Sequence, residues 1–354
     1  MILIIIPLIV LTSTAGHSGN CTVFAASYGN TILFGNNEDV GDRNATVWFV
    51  PETETANGWV YFGFLDYPSE DGRFPMGGMN DQGLCFDITS VPKSQIRYYP
   101  DKLRIINAGI FGGRILEYCA TVEEAIEFVE RYDQSSLGEY QFLFADKIGD
   151  SMILCPGTDK EMKVIRKEGV HQVITNFNVL NPNLGGYPCW RYSAASGMLS
   201  KIKSEDDLTV EYVTSVLKAS YTRHTTYSTI YDPVNGIAYL YNNHNFDEVC
   251  IFNLEEELKK GYHTYYVPSL FPEDEPEDLE SSEEPEKSQE EKETQESDES
   301  LVGTPESEEP EMTFTPISEP GISLTSSNIR ALLTTAIITF VAVIAIILKK
   351  ENPG

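Results

Sequence analysis

The chain has 354 residues, 41% of them hydrophobic, and a formal net charge of −29. Residues 271–320 hold 20 of the 54 acidic residues against only Lys287 and Lys292, so this stretch supplies −18 of the charge and the rest carries −11. A chain poor in Lys and Arg, with no basic stripe, cannot neutralise a phosphate backbone, which excludes nucleic acid as a partner.

The chain opens with MILIIIPLIVL, a short apolar core without Lys or Arg before it, followed by STAGHSGN. This has the form of a secretory signal. Ser13 and Ala15 fit a small-residue cleavage site, which makes residues 1–20 a signal peptide and short pro-segment ahead of Cys21. An uncleaved anchor is a second reading of this end. A lipid-modified cysteine is a third, opposed by the absence of Leu three residues before Cys21.

From Cys21, CTVFAASYGNTILFGNNED predicts a hairpin about a Gly29-Asn30 turn, its second arm ending in a polar knot. Residues 47–50 and 59–62 read as a further strand pair, preceded by the glycosylation sequon Asn44-Ala45-Thr46. Thr121 caps a helix with Glu123 and Glu124 in its first turn and Ala125, Ile126, Phe128 and Val129 on its apolar face. Strands are expected over 140–145, 151–154, 163–166 and 173–175, then helices over 191–202 and 208–219. Strands over 227–231 and 237–241 flank a turn at 232–236. Strands in runs, interrupted by helix pairs, predict an α+β domain over 21–270 with antiparallel sheets covered by helices.

Beyond it, residues 271–326 alternate Glu, Pro and Ser with few large apolar residues, a composition that cannot offset its ordering entropy, and read as a disordered tether. Residues 331–348 are uncharged and largely apolar, about 27 Å as a helix, which with their flanks suffice to cross a bilayer. A transmembrane helix is therefore expected over 327–348. Lys349 and Lys350 follow at once and set residues 349–354 in the cytoplasm, with the folded domain outside.

The six cysteines, at 21, 85, 119, 155, 189 and 250, form no CxxC pair and have no His at ligand spacing, so no metal site is expected. Disulfide pairing stays open: with Cys21 kept free, five remain. A thiol needs a base to become a good nucleophile. If the bond before Cys21 is cut, its own α-amine, with an intrinsic pKa of about 8, can serve. Cleavage would then be part of the mechanism.

Five motifs stand in order: CTVFAAS, LFGNNED ending in Asp39, GGMNDQGL containing Asn80, ITNFN containing Asn176, and CWRYSAA containing Arg191. With this set the chain resembles, over roughly residues 21–271, the N-terminal cysteine nucleophile hydrolases that include choloylglycine hydrolases, penicillin V acylases and related acyltransferases. The resemblance implies a four-layer αββα sandwich and a hydrolase of linear amide C–N bonds with a small-molecule amide substrate and no cofactor. It implies Cys21 as nucleophile and Asp39 as hydrogen-bond acceptor for the α-amine. The Asn80 backbone N–H and the Asn176 side chain would form an oxyanion hole, and Arg191 would hold the acidic cluster and favour the thiolate.

One departure matters. Where choloylglycine hydrolases place an Arg in the segment matching LFGNNED, this chain has Asn36, which weakens any extension to bile salts or penicillins; Arg43 and Arg73 are candidates to compensate. Asn37 and Glu38 are read as local turn chemistry. Rival readings are an acyltransferase using the same residues, a Cys–His protease using His224 or His244, and a catalytically silent surface module.

Overall fold

The computed structural model describes residues 21–41, 43–65, 74–104 and 107–271. The signal and pro-segment, the tether from residue 272, the expected membrane span, the cytoplasmic tail and Arg73 lie outside the described residues. Among the described residues, no helix is long and apolar enough to cross a membrane.

In chain order the strands are β1 (Thr22–Tyr28), β2 (Thr31–Glu38), β3 (Ala45–Val50), β4 (Trp59–Phe64), β5 (Phe74–Asn80), β6 (Leu84–Ser90), β7 (Leu103–Arg104) and β8 (Tyr132–Asp133). There follow β9 (Tyr140–Asp146), β10 (Ser151–Pro156), β11 (Met162–Arg166), β12 (His171–Ile174), β13 (Tyr227–Asp232), β14 (Ile237–Asn242), β15 (Asn245–Asn253) and β16 (His263–Tyr266). The helices are α1 (Ala108–Tyr118), α2 (Val122–Glu130), α3 (Trp190–Leu199), α4 (Val210–Ser220) and α5 (Leu254–Leu258).

Two antiparallel sheets result, one ordered β12-β1-β2-β13-β14-β15 and the other β11-β10-β9-β6-β5-β4-β3-β16. Helices α3 and α4 pack on the first sheet, α1 and α2 on the second. The expected α+β class with antiparallel sheets is what the structure shows, in four layers.

The hairpin from Cys21 forms as the turn signal predicts, with Gly29 at φ +60° and Tyr28 paired to Thr31. Alternation along a strand then sorts the residues by face. Phe24, Ala26 and Leu33 face α3 and α4, where they join Leu199, Val213 and Leu217. Val23, Ala25 and Phe34 face the other sheet. Across that interior the Tyr227 ring lies 5.8 Å from Phe62 and 5.9 Å from Phe64.

Helix α2 starts as predicted: Thr121 accepts the Glu124 N–H, and Val122, Ala125, Phe128 and Val129 are buried. Helix α1 is capped by Asn107, which accepts the Ile110 N–H, but three of its eleven residues are glycines, which cost about 1 kcal/mol each in a helix interior. Contact distance explains them. A Cβ on Gly112 would sit 2.0 Å from the Phe86 ring and one on Gly109 2.6 Å from the Pro75 carbonyl, so the helix reaches the sheet only without side chains there.

Candidate active site

Cys21 immediately precedes β1 and is 2% exposed. Hairpin register sets it across from the end of β2, since Thr22 pairs with Asn37. Its thiol donates to Glu38 Oε1 at 3.0 Å. Glu38 and Asn36 point into the space between the sheets, where the Asn36 amide donates to Asp87 on β6. Asn37, on the opposite face, donates to the Leu217 carbonyl of α4 at 3.0 Å and accepts from Ser228 at 2.6 Å. Asn37 and Glu38 are therefore not turn residues. They are fully buried strand residues, one bracing a helix and the other holding the thiol.

Asp39 follows directly. One carboxylate oxygen accepts the Thr225 hydroxyl; the other, Oδ2, is buried with no hydrogen-bond partner and lies 3.7 Å from Arg191 Nη1. Arg191 projects from the first turn of α3 and is 6% exposed. Its guanidinium donates to the Cys21 carbonyl, to Thr22 Oγ1 at 3.1 Å and to Asn176 Oδ1 at 3.0 Å. Asn176 follows β12 and, by the β1–β12 register, stands beside Cys21. Its amide nitrogen donates to the Ser90 carbonyl at 3.0 Å.

Burial dominates the electrostatics. It pushes the Cys21 thiol well up, helped by the charges of Glu38 and Asp39, while the Asp39 backbone N–H acts in the opposite direction. Burial raises Asp39 to about 7 against the pull of Thr225 and Arg191. In the uncut chain the sulfur is thus held as a thiol, and its conversion to thiolate requires a proton acceptor at close range.

No protein-family model matches the sequence, and no curated protein matches it either. Solved structures do. A cysteine-to-alanine mutant of conjugated bile acid hydrolase from Clostridium perfringens matches with TM-score 0.56 at 16% identity, over 69% of this chain and 96% of that one. Penicillin V acylase from Agrobacterium tumefaciens matches with TM-score 0.52 at 18% identity, over 70% and 92%. An arginine-to-leucine variant of the Clostridium enzyme matches with TM-score 0.53 at 16% identity, over 70% and 97%. The chain has their fold. The resemblance to N-terminal nucleophile hydrolases read from the motifs is therefore a resemblance of architecture as well.

Within this fold, Cys21, Asp39, Asn176 and Arg191 come together. Asn80 does not join them, which corrects its expected place in an oxyanion hole. It ends β5 at the turn into β6, where its amide donates to the Leu116 and Cys119 carbonyls at 2.7 Å each and its oxygen accepts the Leu84 N–H at 2.8 Å. That turn lies under Pro233, at the far end of β13 from Tyr227. From Leu84 to the Ser90–Asn176 contact, β6 runs about 20 Å. Asn80 ties the C-terminus of α1 to the sheet. Asn80→Ala is expected to lower stability by about 1–3 kcal/mol in denaturant titration, through stranded buried carbonyls, and to leave kcat/KM per folded molecule near the parent value.

The described histidines sit elsewhere. His171 bonds to Ser196, His224 to Arg223 and His263 to Glu257, while His244 stacks on Tyr221. None is bonded to Cys21, so the Cys–His protease reading has no geometric support. All six cysteines are free thiols.

Proposed function

We propose that the chain is a self-processed hydrolase of linear amide C–N bonds, with Cys21 as its N-terminal nucleophile. The observation that carries this reading is the sharing of one buried guanidinium, Arg191, by the Cys21 carbonyl and the Asp39 carboxylate, with Asp39 Oδ2 accepting no hydrogen bond. Such an oxygen is an acceptor for the ammonium that cleavage before Cys21 would create, which would add a hydrogen-bonded cation beside the ion pair with Arg191.

In the mature chain the α-amine takes the thiol proton, and the thiolate attacks the substrate carbonyl. The Asn176 amide group, at the level of Cys21, turns from Ser90 to the developing oxyanion. The amine leaves with the proton from the α-ammonium, and water hydrolyses the Cys21 thioester. Arg191 holds the nucleophile's backbone and Asp39 in one frame throughout. The family's substrate specificities do not carry over, because Asn36 bonded to Asp87 offers no cation beside the nucleophile.

The apolar leader and the 331–348 segment followed by two lysines support an outward-facing, membrane-anchored placement. Incubation of the mature chain with N-acyl amino acids, lactams and short peptides tests the reaction class. At least one linear amide should yield its carboxylic acid and free amine in equal amounts; absence of release from the whole panel would sink the reading.

A further inference from the structure

The α-amine that serves the mature nucleophile does not exist before cleavage. In the uncut chain the Cys21 nitrogen is an amide, without a basic lone pair, so the first proton must go elsewhere. Among the described residues the acid that accepts the thiol's hydrogen bond is Glu38, at 3.0 Å. Asp39 turns one oxygen to Thr225 and the other toward Arg191, and no described histidine bonds to the thiol. Glu38 is also an acid without an evident structural purpose. Its Oε2 is buried and unpartnered, and Arg191, the cation nearby, is committed to Asp39 and Cys21. A buried carboxylate with no counter-ion is strongly unfavourable, and its one hydrogen bond is to the nucleophile.

We propose that Glu38 is the general base of the self-cleavage step, a residue whose contact with the nucleophile activates it before the α-amine has been released. The inference rests on the reading of Cys21 as a self-processing nucleophile. The Cys21 Sγ–H proton passes to the Glu38 carboxylate, and the thiolate adds to the Asn20 carbonyl carbon. Collapse of the tetrahedral adduct breaks the C–N bond of residues 20–21, and the nitrogen takes the proton back from Glu38. The acyl group now rests on sulfur as a thioester. Water hydrolyses it, releasing the Asn20 carboxylate and restoring the thiol.

The surroundings tune this base. Cys21 lies against Glu38, with Asp39 next to it along β2; Asn36 and Asp87 lie on its inner side, and Tyr227 and Tyr231 face it from β13. Burial and the Asp39 charge raise Glu38 to about 8, while the Cys21 thiol bonded to it pulls it down. Burial and the Glu38 charge push the Asp87 carboxyl well above the usual carboxylate range, and burial pushes both tyrosines up. A raised acid is a base only above its pKa. Cleavage should therefore be slow at pH 6, rise through pH 8 and level off above it.

The test uses the full chain, made by cell-free synthesis in detergent and exchanged into buffers from pH 5.5 to 9, with cleavage before Cys21 followed by mass. Glu38→Gln, which keeps an oxygen acceptor for the thiol, should slow cleavage at least about 100-fold and flatten the pH profile. Glu38→Asp, which keeps a carboxylate, should retain a rising profile at a lower rate. Cleavage of E38Q at the parent rate, or a flat profile in E38D alongside uncut E38Q, would overturn the assignment. Either result with normal cleavage of the parent chain removes only Glu38; a parent chain never cut before Cys21 removes the reading it rests on.

Discussion

Cys21→Ala is expected to leave residue 20 joined to residue 21 and to reduce amide turnover by at least about 10⁴-fold, to the background of binding alone. Both losses come from one sulfur. Without it there is no atom to accept the Asn20 acyl group and none to form the substrate thioester. The substitution removes a buried S–H and leaves Glu38 Oε1 without its donor, so folding should suffer by about 1–3 kcal/mol. Intact mass reads the first loss, amine release the second and a thermal melt the third. Cys21→Ser separates nucleophilicity from packing: it keeps a donor to Glu38 but offers a hydroxyl, and should be processed and turn over far more slowly than the parent.

Arg191→Met should be the most damaging change that leaves the nucleophile in place. The guanidinium donates to the Cys21 carbonyl, to Thr22 Oγ1 and to Asn176 Oδ1, and is the ion-pair partner of Asp39 at 3.7 Å. Removing it strands a buried carboxylate, at a cost of about 3–5 kcal/mol in denaturant titration. Arg191 also holds the Asp39 pKa down, so its loss moves that pKa up from about 7. Asp39 would then be largely protonated at neutral pH and unable to hold the α-ammonium, and the acid limb of kcat/KM should shift to higher pH with a fall of about 100-fold at pH 7. Arg191→Lys keeps the charge but not the planar fork, and should lie between the two.

The hairpin shows how much of this site was legible. A two-residue turn at Gly29-Asn30 pairs residue 28 with 31, and counting outward from it sets residue 38 across from residue 21 on the same face. The contact between thiol and carboxylate was thus implicit in turn position and strand alternation. It was missed because a fully buried Glu is rare, so a run of Gly, Asn, Glu and Asp reads as a turn. Arg191 and Asn176 were legible only through motif order, since their meeting with Cys21 depends on α3 and β12 packing across 170 and 155 residues of chain. Asn80 illustrates the converse. The motif GGMNDQGL carried no information about which end of β6 approaches the nucleophile, and the Asn proved to brace a helix. That helix, α1, escaped prediction because its glycines serve close packing against Phe86 and Pro75, a tertiary demand that overrides local propensity.

Everything catalytic in this account depends on Cys21 becoming an N-terminus. Intact-mass analysis of the chain recovered from expressing cells measures this directly. The mature species is expected to have Cys21 as its first residue. A mature chain that still begins at residue 16, or at any position before 21, while hydrolysing amides would contradict it.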